Sequence, residues 1–189
     1  MGKFIFGLIV GLIIIPLFVY LYFSTGMAPV ATNASPMPFE KWFAGMALHA
    51  GMGKAAQQQS PIPADETNLT AGAQVYRDHC AACHGVPLTP ESAIAKGMYP
   101  KPPKLMEGKG VTDDSPGETY WKVNGGIRMT GMPGFQSSLS TTQMWQVSLL
   151  CANADKLPSA TKTLLVSGPA AATTPAPATT TPAPPATPK

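Results

Sequence analysis

Cys80 and Cys83, separated by two alanines and followed at once by His84, place two thiols and an imidazole within five residues. Three chemistries use such a set. A structural zinc site takes four protein ligands on one tetrahedron. This segment offers three at most, its adjacent Cys-His pair is awkward for one tetrahedron, and the chain has no second C-x-x-C. A dithiol redox centre belongs to a βαβ setting, which the flanking sequence does not supply. A porphyrin suits every letter. Thiols two residues apart match the two vinyl groups of one ring and become thioethers, and the next residue is then held under the iron as an axial ligand; C-x-x-C-H is itself a c-type haem attachment signal. One covalently bound haem c is therefore expected, carried by Cys80 and Cys83 with His84 on the iron.

The iron then needs a sixth ligand or an open face. The segment "NGGIRMTGMPGF" lies downstream, and a methionine thioether from it would give His/Met ligation, which raises the reduction potential and suits electron transfer. Of the ten methionines, Met132 is the expected ligand. Gly131, Pro133 and Gly134 around it make a loop whose backbone approaches closely and holds an extended side chain stiffly. Met129 is the competitor, otherwise expected to pack at the porphyrin edge, and Met98 and Met106 are expected to line the site.

These residues must be held by helices, since no convincing alternating strand is present. "NLTAGAQVYRDHC" reads as a helix with Thr70 at its cap and Val75 and Tyr76 on the apolar side. "PGETYWKVNGG" reads as a second, with Pro116 in its first turn and Gly125 and Gly126 ending it. "SLSTTQMWQVSLLCANADKLP" reads as a third, capped by Ser140 and stopped before Pro158. Long Gly/Pro/Met loops join them. The expectation is a small all-α domain over residues 68–158, too small to be stable without a staple or cofactor.

Together, "GAQVYRDHCAACHG", "GIRMTGMPGF" and a Trp-bearing terminal helix resemble a class I c-type cytochrome of the membrane-anchored bacterial mono-haem kind. The resemblance covers about half of the chain. It implies that Gly72 and Tyr76 cross Trp145 and Leu149 where the first and last helices meet. It implies that the carbonyl of Pro87 accepts the His84 Nδ1–H, a bond that fixes the tautomer, and that Pro102, Pro103 and Leu105 wall one haem edge. Trp121 and Arg128 become partners for the propionates, through an indole N–H and a guanidinium fork. Cys151 departs from the pattern and is expected to be a buried thiol acting as a small hydrophobe.

The rest of the chain says where this domain works. Phe4–Phe23 is an apolar run of twenty residues without a charge, about 30 Å as a helix at ~1.5 Å per residue and so the thickness of a hydrocarbon core. It exceeds the apolar core of a cleaved signal, and Lys3 precedes it. Residues 1–25 are therefore expected to be a single-pass signal-anchor in the inner (cytoplasmic) membrane, with the haem domain on the periplasmic side. Residues 26–67 are expected to be linker around a short helix bearing Phe39, Trp42, Phe43, Met46 and Ala50, lying on the membrane surface, on a partner or on the domain; His49 in it is not expected to be a ligand. Residues 159–189, dominated by Ala, Thr and Pro, are expected to be a disordered tail. The net charge is +3 with 12% charged residues and no aromatic-interleaved basic run, which excludes nucleic acid as a partner. A mono-haem electron carrier with redox protein partners is the expected function, with no bond chemistry and no catalytic residues. Permanent membership of a larger respiratory or photosynthetic complex is the alternative, and a haem enzyme or gas sensor the third reading.

Overall fold

A computed structural model describes residues 1–107 and 112–167. The part of the long loop at 108–111 and the Pro/Thr-rich tail from 168 onward, expected to be disordered, lie outside the described residues. The chain divides into two units, Met1–Gly53 and Lys54 onward. Every regular element among the described residues is helical.

In the first unit, α1 (Gly2–Ser24) has no buried residue and is long and apolar enough to cross a membrane. At ~1.5 Å per residue it reaches about 35 Å, and Pro16 sits within it, as membrane spans allow. The second helix, α2 (Glu40–Met52), carries Phe39 at its N-cap in the left-handed region, φ 62°.

The second unit is built on α3 (Glu66–His79), α6 (Pro116–Gly125), α7 (Thr141–Ala152) and α8 (Ser159–Val166). The short α4 (Ala81–His84) and α5 (Ala93–Gly97) lie between α3 and α6. The expected cap of α3 at Thr70 is corrected: Asp65 caps it, accepting from the Asn68 N–H at 2.9 Å. The helix thus begins more than a turn earlier, because a carboxylate at its mouth satisfies an orphan donor and favours the dipole. Thr70 instead faces the Thr161 hydroxyl at 3.0 Å. The α7 cap is as expected and is a full capping box between Ser140 and Gln143. In α6, Ser115 caps, Pro116 starts the helix, and Gly126 at φ 67° ends it.

The core forms where α3 packs on α7, with α6 beside α7. Tyr76 and Leu150 are fully buried, and Trp145 stacks on Tyr120 with ring centroids 4.1 Å apart. Gly72 allows the approach, since a Cβ there would meet the Gln146 carbonyl and, at 3.2 Å, the Leu150 side chain. Backbone cannot swing aside, so Gly72→Ala must separate the helices. A cost of ~1–3 kcal/mol and a fall of roughly 5 °C or more in the unfolding midpoint are expected by circular dichroism. Gly97→Ala, which meets nothing within 4 Å, is the control and should leave the midpoint unchanged.

The boundary placed at 158 is also corrected. Residues 159–166 form α8, which packs on α3 with Leu165 and Thr161 buried. Ahead of α3, Ile62 packs against the core, so the segment read as linker also contributes to it. Cys151 lies inside the core, as expected of a thiol used as a small hydrophobe.

Candidate haem site

Cys80 closes α3 and opens α4, the single turn that carries Cys83 and His84. The turn is held at its start by the Cys80 carbonyl, which accepts from the Cys83 and His84 N–H groups at 3.1 and 2.9 Å. Gly85, at φ 72°, stops it in a conformation that disfavours side chains. Its carbonyl accepts from the Tyr76 hydroxyl at 2.7 Å, tying the turn's exit to the core. Ser92 holds the turn from the other side: its hydroxyl donates to the Ala82 carbonyl at 2.6 Å and accepts from Ala95 N–H at 3.1 Å, capping α5.

Cys80 and Cys83 are free thiols, both half-buried. Burial, with Cys83 alongside, pushes the Cys80 thiol up to about 12. Reactive dithiols show the opposite shift, since they work as thiolates. Among the described residues no three His, Cys, Asp or Glu side chains converge as a metal-ion site. The thiols and the imidazole are therefore not arranged around one bare ion.

His84 is half-buried, and its Nδ1 lies 2.7 Å from the Pro103 carbonyl. That carbonyl can only accept, so Nδ1 carries the proton and Nε2 keeps its lone pair. Burial lowers the imidazole below its ordinary pKa, partly opposed by the Pro103 bond, so the ring is neutral at pH 7 and fit to ligate. The acceptor role given to Pro87 is thereby corrected. Pro87 opens a tight turn in which the Val86 carbonyl accepts from Thr89 N–H at 3.3 Å, with Leu88 at φ 64°. The turn engages Val86 rather than the ring, and the distant Pro103 comes back over His84. Cys83, His84, Val86, Pro102, Lys104 and Met106 line a cleft here. Leu105 packs against the core.

The methionine loop is fastened to the end of α6. Phe135 N–H donates to the Val123 carbonyl at 2.9 Å and Gln136 N–H to the Asn124 carbonyl at 3.3 Å. Within the loop Ile127 N–H donates to the Met132 carbonyl at 3.2 Å, and Met132 N–H donates to the Thr130 hydroxyl at 3.1 Å. Gly134 permits the closure, since a Cβ on it would lie 2.9 Å from the Gly125 backbone. Met132 is half-buried and packs against the core, as do Cys80 and Ala81. Met129 sits at φ 61° with 93% of its surface exposed. Met98 packs on Gly131, and Met106 is buried at the cleft. Trp121 is half-buried in α6 and Arg128 is exposed in the loop; among the described residues no hydrogen bond engages either side chain. Pro103, Ser92 and Thr130 are the supporting residues that the sequence does not reveal. Only the proline pair at 102–103 signals one of them.

The donor set fits a c-type haem. Two free thiols share one turn with a neutral imidazole presenting Nε2, and a thioether is held on a braced loop beside the same core.

A family model described as "Cytochrome C oxidase, cbb3-type, subunit III" matches residues 67–149. No curated protein sequence matches the chain. A chain of the solved Kuenenia stuttgartiensis reducing HAO-like protein complex Kustc0457/Kustc0458 is similar at 20% identity with a TM-score of 0.44, the match covering 66% of each chain.

Proposed function

We propose that this protein is a membrane-anchored mono-haem electron carrier whose iron is ligated by His84 and Met132; the match of residues 67–149 to a cytochrome c family model supports haem binding and electron transfer. The observation that carries the reading is the His84 ring. Pro103 fixes its proton on Nδ1 at 2.7 Å, which leaves Nε2 for iron beside the two thiols that would bind the porphyrin.

When bound, the haem supplies a one-electron couple. The chain's own residues do the rest. Cys80 and Cys83 would hold the ring covalently, and the Pro103 carbonyl and the stop at Gly85 keep His84 in one orientation. The braced loop presents Met132, whose thioether favours the ferrous state. With His84 and Met132 both ligating it, the iron would be left without a site for a substrate. Trp121 and Arg128 offer donors to the propionates. Helix α1 would keep the domain at the periplasmic face of the inner membrane.

The deciding experiment exposes the reduced holoprotein to carbon monoxide at neutral pH. No spectral change is expected, together with a reversible one-electron titration. Rapid carbon monoxide binding would mean that Met132 leaves the iron and would favour an enzyme or gas sensor.

The family description favours one second reading, a permanent subunit of a larger membrane redox complex. A haem-stained band well above monomer mass in a native gel of detergent-solubilised membranes would support it.

A further inference from the structure

Helix α2 has two apolar faces, and only one is covered. Gly45, Leu48 and Met52, at helical spacing, form the covered side, with Met52 3% exposed. Phe39, Trp42, Phe43 and Met46 recur at i, i+3, i+4 and i+7, and all are at least half exposed. The Trp42 and Phe43 rings touch edge to face at 4.7 Å, so the patch is continuous. Its one acid, Glu40, is turned back to accept from the Met37 N–H at 2.8 Å. Lys41, exposed between Glu40 and Trp42, leaves positive charge beside the patch.

We propose that this face lies in the headgroup–acyl boundary of the bilayer that α1 crosses, as an in-plane second contact between protein and membrane. The proposal rests on the anchor reading of α1. Residues 25–39 are the whole tether between the two helices and reach at most roughly 50 Å when fully extended. The face is thus confined near a bilayer surface at high effective concentration. Tryptophan and phenylalanine are the side chains that partition to that boundary, and a neighbouring lysine such as Lys41 meets anionic headgroups there. Phe39, Trp42, Phe43 and Met46 run along about two turns from the N-cap of one helix, which suits a flat apolar layer.

Trp42 makes the test direct, because the two other tryptophans, Trp121 and Trp145, belong to the haem domain. Full-length holoprotein is reconstituted in phosphatidylcholine/phosphatidylglycerol vesicles, with or without bromine on the acyl carbons nearest the headgroup. Flotation of the vesicles reports on α1, and bromine quenching of indole emission reports on α2. The expected result is co-flotation, with quenching in the wild type that is lost in Trp42→Phe, a change that keeps an aromatic ring in place. Co-flotation with equal quenching in both proteins would overturn the proposal while leaving the anchor intact. The proposal also falls if Trp42 is shielded from aqueous iodide yet untouched by bromolipid, since a protein partner or a second copy then covers the face. Failure to float would remove the anchor reading and this proposal with it.

Discussion

Cys80→Ala combined with Cys83→Ala is expected to give a chain with no haem stain after denaturing electrophoresis, against a strong band for the wild type. The reason is geometric as well as compositional. The two thiols share one helical turn ended by Gly85, and the remaining cysteine, Cys151, is buried in the α3–α7 core. No other pair offers the spacing. A wild-type band in the double variant would sink the haem attachment. Stability should fall with the ring, because a domain of this size has a marginal core, and the cleft walls around His84 and Met106 would lose their apolar partner. Residual haem in the variant, held by the axial ligands alone, should wash out under denaturant.

Met132→Ala should abolish the weak sulfur-to-iron charge-transfer band of the ferric protein at the red end of the visible spectrum. It should also admit water to the iron and lower the reduction potential by on the order of tenths of a volt, within the ~0.8 V that axial ligation spans. Met129→Ala should keep the band. The contrast follows from the loop: Met132 is half-buried and tied through its N–H to Thr130, whereas Met129 stands 93% exposed on the same loop. Loss of the band in Met129→Ala with retention in Met132→Ala would reverse the assignment. Retention in both would transfer the ligand role to another methionine, with Met98, already packed on Gly131, the first to test.

The parts of this architecture that are legible in the sequence are those written in local chemistry. The all-α class, the cap at Ser140 and the stop at Gly125 and Gly126 each depend on a residue type acting within a turn or two of itself, whereas the crossing at Gly72 follows from the family resemblance. The misplacements all involve distance along the chain. Pro87 suggests itself because it follows His84 closely, but the Val86–Thr89 turn occupies that proline, and Pro103 returns from beyond α5 to meet the ring. Thr70 resembles a cap because the apolar pattern starts there. Asp65, five residues earlier, owes its role to the Asn68 N–H rather than to hydrophobic period. Residues 159–166 are easily grouped with the tail they precede, but Leu164, Leu165 and Val166 set them apart from it, and α3 receives them as a helix with Thr70 opposite Thr161. Met132 and Met129 can be ranked from their neighbours, yet the braces that separate them, from Thr130 and from the end of α6, belong to tertiary structure.

The third cysteine has a consequence for how this protein ages. With Cys80 and Cys83 as thioethers, as proposed, the molecule would carry one leftover thiol, and in an oxidising compartment a lone thiol is an invitation to cross-link copies or to accumulate sulfenic acid. Cys151 is 5% exposed on a helix packed between α3 and α6, and burial raises its pKa well above that of a free thiol. It can meet an oxidant or a sibling molecule only after the core opens. The rate at which disulfide-linked dimers accumulate on storage is therefore a clock for opening of the α3–α7 interface, and it should run faster in Gly72→Ala than in the wild type.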